Sequence, residues 1–301
     1  MCRLIDDILG FLGENGFECI VQMRSGLDVI CTKTLDGKHE RMIFPLVITA
    51  ESPESAHEQA ETAAKVIEAL PSRPIIITED RWHSQHEMMK ARVLAHLEVF
   101  DQVYARNCEI RKLDKTTAAE FLAANHSYGD SSNRYRYGLF LKRHTGHIAS
   151  EGDETWKYPT GTLVAVATFS NARKWIKGDS TVRSYEWIRY ASLPGLRISG
   201  GMGKLLKAFM EEAQPDDIMS YADLEWSEGS VYEQLGFTLE GKKDPVLFGV
   251  DSEWNRSPVK PGMTGGKTGM TYPDVIAGLT GNLFYMNFGS NKYRLKLTEY
   301  E

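Results

Sequence analysis

Gly200-Gly201-Met202-Gly203 lies between a β-branched and aromatic run that ends near Ala191 and an amphipathic run that starts at Lys204. A strand, a glycine cluster and a helix start, in that order, aim helix N-terminal amides at whatever fills the loop. The glycines let an anion approach the backbone closely. Lys204 adds a positive charge at the same place, although the same residues also suit a glycine-rich turn with no ligand. Upstream, Glu186 stands within Tyr185-Glu186-Trp187-Ile188-Arg189, a strand with large side chains on both faces. A carboxylate there is costly to bury unless paired. It is either a general base, taking a proton from an amine directly or through water, or a structural partner of Arg183 or Arg189. Downstream, Asp223, Glu225, Trp226 and Glu228 cluster at the end of a strand, where either they line an acceptor pocket or Ser227 and Glu228 cap the next helix. His126 follows Asn125 at a helix end and either faces the same cleft or caps that helix.

Other constellations are incomplete. His83-x-x-His86 and His144-x-x-His147 have metal-like spacing without a third ligand of obvious placement, so no metal is expected. Gly266-Lys267-Thr268 has the last letters of a phosphate loop, but Pro261 stands where its first glycine is required. The cysteines at 2, 19, 31 and 108 are too far apart for a CxxC pair, and three of them sit among apolar neighbours, which suits buried, reduced thiols.

The elements that must position these residues fall into an α/β (α+β) pattern. Residues 1–100 read as helix (Arg3 to Leu12), three strands (Glu18 to Met23, Asp28 to Thr32, Arg41 to Thr49), a helix from Glu54 to Leu70, a short strand Ile75 to Thr78 and a helix His86 to Phe100. Ser52 is the N-cap of the long helix and Pro53 its first residue. From Tyr104 the pattern restarts: strand 108–113, helix 116–125, strands 137–142, 163–169 and 184–191, helix 204–213, strand 218–222, short helix 230–235 and strand 246–250. Residues 143–160 read as an exposed loop, 173–178 as a basic, aromatic turn and 252–281 as loop. Leu283 to Phe288 and Lys292 to Leu297 suggest a hairpin. The expected organisation is therefore a small α/β domain (1–100), a second, mixed-sheet domain (101–251) and a β-extension (252–301) packing on the latter.

Tyr232-Glu233-Gln234-Leu235-Gly236-Phe237, one strand after the glycine cluster, makes the region resemble the GNAT family of N-acyltransferases. The resemblance implies a loop that cradles the pyrophosphate of acetyl-CoA, with Gly200, Gly201, Met202, Gly203 and Lys204 in that place. It further implies that backbone groups of Tyr190, Ala191, Ser192 and Leu193 hold the pantetheine arm, that Tyr232 protonates the departing thiolate, and that Glu186 is the base. With Gly201-x-Gly203 as the glycine pair, Ile198 stands where the family's loop has Arg or Gln; read from Arg197 to Gly200, Gly203 falls one residue late. Asn125-His126, Tyr137-Gly138-Leu139, Leu163-Val164-Ala165, Tyr185-Glu186, Ser220-Tyr221-Ala222-Asp223 and Trp226-Ser227-Glu228-Gly229 occur in an order similar to that of phage and mobile-element proteins with a GNAT-like domain. The N-terminal part of such proteins is similar to Vsr-type or PD-(D/E)xK nucleases, and Glu79-Asp80-Arg81-Trp82 resembles the closing strand of those nucleases. Nuclease chemistry needs an acid on one strand and Asp/Glu-x-Lys on the next to hold a divalent metal. Asp28 suits the first position, but Arg41 to Ile48 contains no acid, and Asp36-Gly37-Lys38 lies in a turn. A degenerate, non-cutting domain is expected.

Hydrophobic residues make up 42% and charged residues 25% of the 301, which excludes a mainly disordered or fibrous chain. Residues 1–98 carry 10 Lys/Arg against 16 Asp/Glu, and the remainder balance. Neither part has the basic excess of a protein that lives on phosphate backbones. The longest apolar run, Leu163 to Phe169, is far short of a membrane span, and the first residues are acidic where a signal peptide is basic, so a cytoplasmic location is expected. The leading expectation is acetyl transfer to a small-molecule or peptide amine. The alternative is an inactive binding module for nucleic acid, with Arg134, Arg136, Arg173, Lys174, Trp175 and Lys177 supplying basic and aromatic contacts.

Overall fold

The computed structural model describes residues 3–148, 155–177, 180–259 and 283–300, and the chain divides into two units. The first comprises residues 1–98, 222–228 and 242–291, the second the rest. Mixed α/β structure runs through both. Among the described residues no helix is long and apolar enough to cross a membrane.

In the first unit, α1 (Arg3–Glu14) buries Leu4, Ile5, Ile8 and Leu12, an apolar stripe at helical spacing. Strands β1 (Cys19–Arg24) and β2 (Leu27–Lys33) meet at a two-residue turn, Ser25-Gly26, with φ of 48° and 81°. Both residues being left-handed is what a tight hairpin twist demands. β3 (Glu40–Leu46) pairs antiparallel with β2 and parallel with β4 (Ile75–Thr78), the crossover being α2 (Pro53–Glu68). The Ser52 side chain accepts from the Ser55 amide and Ser55 Oγ accepts from the Ser52 amide, a reciprocal cap. Two helices follow, α3 (Glu79–Ser84) and α4 (His86–His96).

The described residues of the expected extension do not all pack on the second unit: 252–259 and 283–291 belong to the first unit and 292–300 to the second. A small sheet of β16 (Leu247–Val250), β17 (Arg256–Pro258) and β18 (Leu283–Met286) belongs to the first unit. Its Phe248, Val250 and Tyr285 complete a core with Val29, Phe44, Leu46, Ala63, Val66 and Ile76. Nor do the last two strands form a hairpin: β18 pairs with β16, while β19 (Ser290–Lys296) enters the large sheet of the second unit. Gly289 makes the turn between them at φ 74°, and a Cβ there would lie 2.2 Å from the Lys243 carbonyl oxygen.

The second unit opens with β5 (Asp101–Tyr104), a 3-10 turn and β6 (Cys108–Lys112), then α5 (Lys115–Asn125), capped by Asp114 on the Thr117 amide. β7 (Tyr135–Leu141), β10 (Leu163–Phe169) and β12 (Ser180–Ser192) form an antiparallel series. The segment expected as loop at 143–160 holds a ribbon, β8 (Thr145–Ile148) with β9 (Thr155–Tyr158), and the expected turn at 173–178 is instead β11 (Arg173–Lys177), paired with β12. β13 (Leu196–Ser199) runs parallel to β5 and leads into α6 (Gly201–Ala213). β14 (Asp217–Asp223), α7 (Ser230–Gln234) and β15 (Thr238–Lys243) follow. The sheet order is β15-β19-β14-β12-β10-β7-β6, with β11 beside β12. Phe169 and Phe209 stack at 3.9 Å, with Tyr135 and Tyr185 edge-on to Phe209.

Candidate functional site

The site is built where two neighbouring parallel strands stop pairing. β12 and β14 are in register only from Ser184↔Asp217 to Glu186↔Met219, yet both strands run on, to Ser192 and Asp223. On its other edge β12 stays paired with β10 as far as Ser192. A fork therefore opens just past Glu186 and Met219. At its apex the backbone ladder is replaced by a side chain: buried Ser220 Oγ lies 3.0 Å from the Trp187 carbonyl oxygen.

Tyr232 reaches that apex from α7. Its hydroxyl lies 2.8 Å from Ser220 Oγ, and its ring stacks on Tyr293 (5.4 Å) and meets Trp187 and Phe237 edge-on. Burial pushes the phenol above its ordinary pKa, and the hydrogen bond with Ser220 pulls part of the way back. The phenol is thus protonated at neutral pH, the state a proton donor needs.

Glu186 occupies the last rung of the β12–β14 ladder and is half-buried. The two arginines that would neutralise it structurally are engaged elsewhere. Arg183 pairs with Asp216 at 3.6 Å, and Arg189 donates to the carbonyls of Gly129 and Ile188 at 3.0 Å. Among the described residues Glu186 has no ion-pair partner, although its charge supports the protonated state of Arg189 against burial.

The glycine cluster lies at the start of α6. Gly200 is the N-cap at φ 77°, a left-handed conformation that glycine adopts without cost. At Gly201 a Cβ would come within 2.9 Å of Ile198 Cγ2 and 3.1 Å of the Tyr190 hydroxyl, so this close approach excludes a side chain. Gly203 faces Leu235, whose Cδ2 would be 3.2 Å from a Cβ. First-turn amides have no intrahelical acceptor and carry the positive end of the helix dipole. Lys204 does not add its charge to them. Its ammonium donates to the carbonyls of Ala105 (2.9 Å) and Cys108 (2.5 Å), tying the helix start to the turn between β5 and β6. Burial pushes up both the Tyr190 phenol and the Cys108 thiol. Ala191 packs with Val166, Ala118 and Leu122, and the Leu193 amide donates to the Val164 carbonyl.

No family model matches the chain, and no curated protein does. Solved structures similar to it include yncA of Salmonella typhimurium, assigned as an acetyltransferase and solved with its cofactor acetyl-CoA. It is 15% identical, covers 64% of this chain and 96% of its own, and has a TM-score of 0.33. An N-acetyltransferase of Staphylococcus aureus Mu50 is 10% identical over 63% of this chain and 97% of its own, TM-score 0.30. A GNAT-family acetyltransferase of Bacillus anthracis is 14% identical over 63% and 95%, TM-score 0.30.

The other expected site residues are distributed between the units. His126 is the C-cap of α5, and its Nδ1 accepts from the Tyr128 amide at 3.1 Å. Asp223 and Trp226 belong to the first unit. Asp223 accepts from the Glu225 amide, and the Trp226 ring lies 4.0 Å below the Arg92 guanidinium. Glu228 does not cap α7, whose N-cap is Gly229, but pairs with Arg73. Asp36 is held by Thr34 and Lys38 within its turn, which lowers its pKa. His83 stacks on Trp254, His86 contacts the Trp82 carbonyl and His144 stacks on Trp156. Among the described residues no three His, Cys, Asp or Glu are grouped to hold a metal. Gly266-Lys267-Thr268 lies outside the described residues.

Ser220 was not singled out from the sequence as a site residue, and neither was a buried charge network in the first unit. Arg256 spans Asp80 (2.6 and 2.8 Å) and Glu225 (3.0 and 3.1 Å) and donates to Thr78. Tyr285 also donates to Glu225, and Arg81 approaches it at 3.3 Å. Nothing in the order of residues links positions 80, 225, 256 and 285.

Proposed function

We propose that the second unit is an acyl-CoA-dependent N-acyltransferase that uses acetyl-CoA as donor and a small-molecule or peptide amine as acceptor. The observation that carries this reading is the fork itself. The parallel strands part after Glu186 and Met219, and a protonated phenol stands at the point of separation. Main-chain groups of Tyr190 to Leu193 beyond the fork suit an extended amide-bearing arm, and the first-turn amides of Gly201, Met202 and Gly203 suit a pyrophosphate. Glu186 receives the amine proton, directly or through water, and Tyr232 supplies a proton to the thiolate. Lys204 contributes by fixing the helix start. Calorimetric titration with acetyl-CoA should show saturable binding, and absence of binding at millimolar ligand would overturn the reading.

One observation favours nucleic acid as a second kind of partner. β11 leaves Trp175 53% and Ile176 85% exposed, flanked by exposed Arg173 and Lys174. An aromatic side chain among cations on a ribbon suits stacking on unpaired bases. Salt-dependent binding of a single-stranded oligonucleotide, lost in Trp175→Ala, supports this reading.

A further inference from the structure

Ser220 has one proton and two oxygen neighbours, the Trp187 carbonyl at 3.0 Å and the Tyr232 hydroxyl at 2.8 Å. A carbonyl can only accept, whereas a phenol donates or accepts. The serine hydroxyl is placed to donate to either oxygen, one at a time: to the Tyr232 hydroxyl or to the Trp187 carbonyl. The serine is 1% exposed, so water does not compete for either position.

We propose that Ser220 is the positioning residue that makes Tyr232 usable as an acid, donating to its oxygen at rest and holding the phenolate after transfer. This inference rests on the acyl-transfer reading above. In the step, the Tyr232 O–H bond breaks and an S–H bond forms on the departing thiolate. The Ser220 hydroxyl donates to the phenolate oxygen, and the phenolate later regains a proton from water. Without that donor the negative charge would be left in a site lined by the rings of Trp187, Phe237 and Tyr293. The titratable groups beside it do not replace the serine. Tyr293 of β19 stacks face to face, and its hydroxyl points to Glu233 of α7 at 3.4 Å. Burial raises the Tyr232 pKa and Tyr293 adds to the rise, while the Ser220 hydrogen bond opposes it.

The experiment compares Ser220→Ala, Ser220→Thr, Tyr232→Phe and the double variant Ser220→Ala/Tyr232→Phe in the full chain. Protein labelled at the tyrosine ζ-carbon is titrated to alkaline pH, with Tyr232→Phe assigning the resonance. Ser220→Ala should move the Tyr232 titration upward and Ser220→Thr should restore it. With acetyl-CoA as substrate, Ser220→Ala should lower kcat at least about tenfold, roughly 1.4 kcal/mol, with KM changed less than about twofold. The double variant should be no slower than Tyr232→Phe alone, because the serine acts through the tyrosine. An unchanged titration, or losses that multiply in the double variant, would overturn the proposal. If Ser220→Ala fails to fold, Ser220→Cys, a weaker donor of similar size, carries the same expectation. Turnover that is equal in wild type and Ser220→Ala refutes the serine's role and leaves acyl transfer standing. Failure to bind acetyl-CoA removes the acyl-transfer reading, and with it the role given to Ser220.

Discussion

Tyr232 and Glu186 differ in what surrounds them, and the acid and base roles proposed for them follow that difference. The phenol is enclosed by aromatic rings, which keep it protonated, while the carboxylate is half-buried at the last rung of the ladder, clear of any ion pair among the described residues. Tyr232→Phe keeps the ring stack on Tyr293 and removes the donor. Acetyl-CoA turnover should fall by roughly 10²–10⁴-fold, with acetyl-CoA affinity and melting temperature nearly unchanged, as read by steady-state kinetics, calorimetry and thermal denaturation. Equal turnover would remove Tyr232 from the chemistry. Gly289 is a residue of another kind, one whose whole contribution is the absence of a side chain. At φ 74°, and with a Cβ position 2.2 Å from the Lys243 oxygen, Gly289→Ala forces the backbone to move. It should cost at least about 2 kcal/mol in chemical denaturation.

At the scale of elements, α6 offers a test that separates anion binding from helix stability. An acid in the first turn stabilises a helix by interacting with its dipole, but repels an anion bound there. Met202→Asp should therefore lower acetyl-CoA affinity at least about tenfold in calorimetry while leaving the melting temperature level or slightly higher. Unchanged affinity would place the phosphates elsewhere. Much of this scaffold was legible in the residue order. The stripe of α1, the Ser52-Pro53 start of α2, the Asp114-led α5 and the apolar face of α6 all carry helical periodicity or a cap. The first turn of α6 was hidden because glycines have poor helix propensity. β11 was hidden because Arg173, Lys174, Trp175 and Ile176 are all exposed, so no buried alternate face marks a strand. The fork was not legible at all: where a ladder stops depends on register, and register is set by partners 33 residues away, as in Ser184↔Asp217.

At the scale of the molecule, the first unit depends on charges gathered from segments far apart in the chain. The side chains of Asp80, Glu225 and Arg256 are at most 8% exposed and Tyr285 is buried, so replacing one member leaves another's charge buried without compensation. Arg256→Met should destabilise the unit by about 3–5 kcal/mol, measured by denaturant unfolding. The network also sets an acid limit. Burial would raise the Glu225 carboxyl, but Arg81, Arg256 and the Tyr285 hydroxyl outweigh it and bring its pKa down to about 2. A folded pKa below the unfolded value of about 4.3 gives stability that is complete above the unfolded value and lost as pH falls through the folded one. On the order of 3 kcal/mol should disappear between those limits. Glu225→Gln should flatten the dependence of unfolding free energy on pH in this window, and a slope equal to that of wild type would exclude Glu225 as its source.

The late placement of β18 and β19 has a consequence for how the polypeptide is made. The core of the first unit waits for Tyr285, and the large sheet of the second waits for Arg294, which binds Asp217 and Glu240 between β14 and β15. During synthesis, therefore, neither unit can reach its native pairing until residues in the 280s and 290s have left the ribosome, and long-range pairing of this kind is slow. Nascent chains arrested before β18 should remain protease-sensitive throughout residues 3–98, however complete that stretch looks as a separate domain.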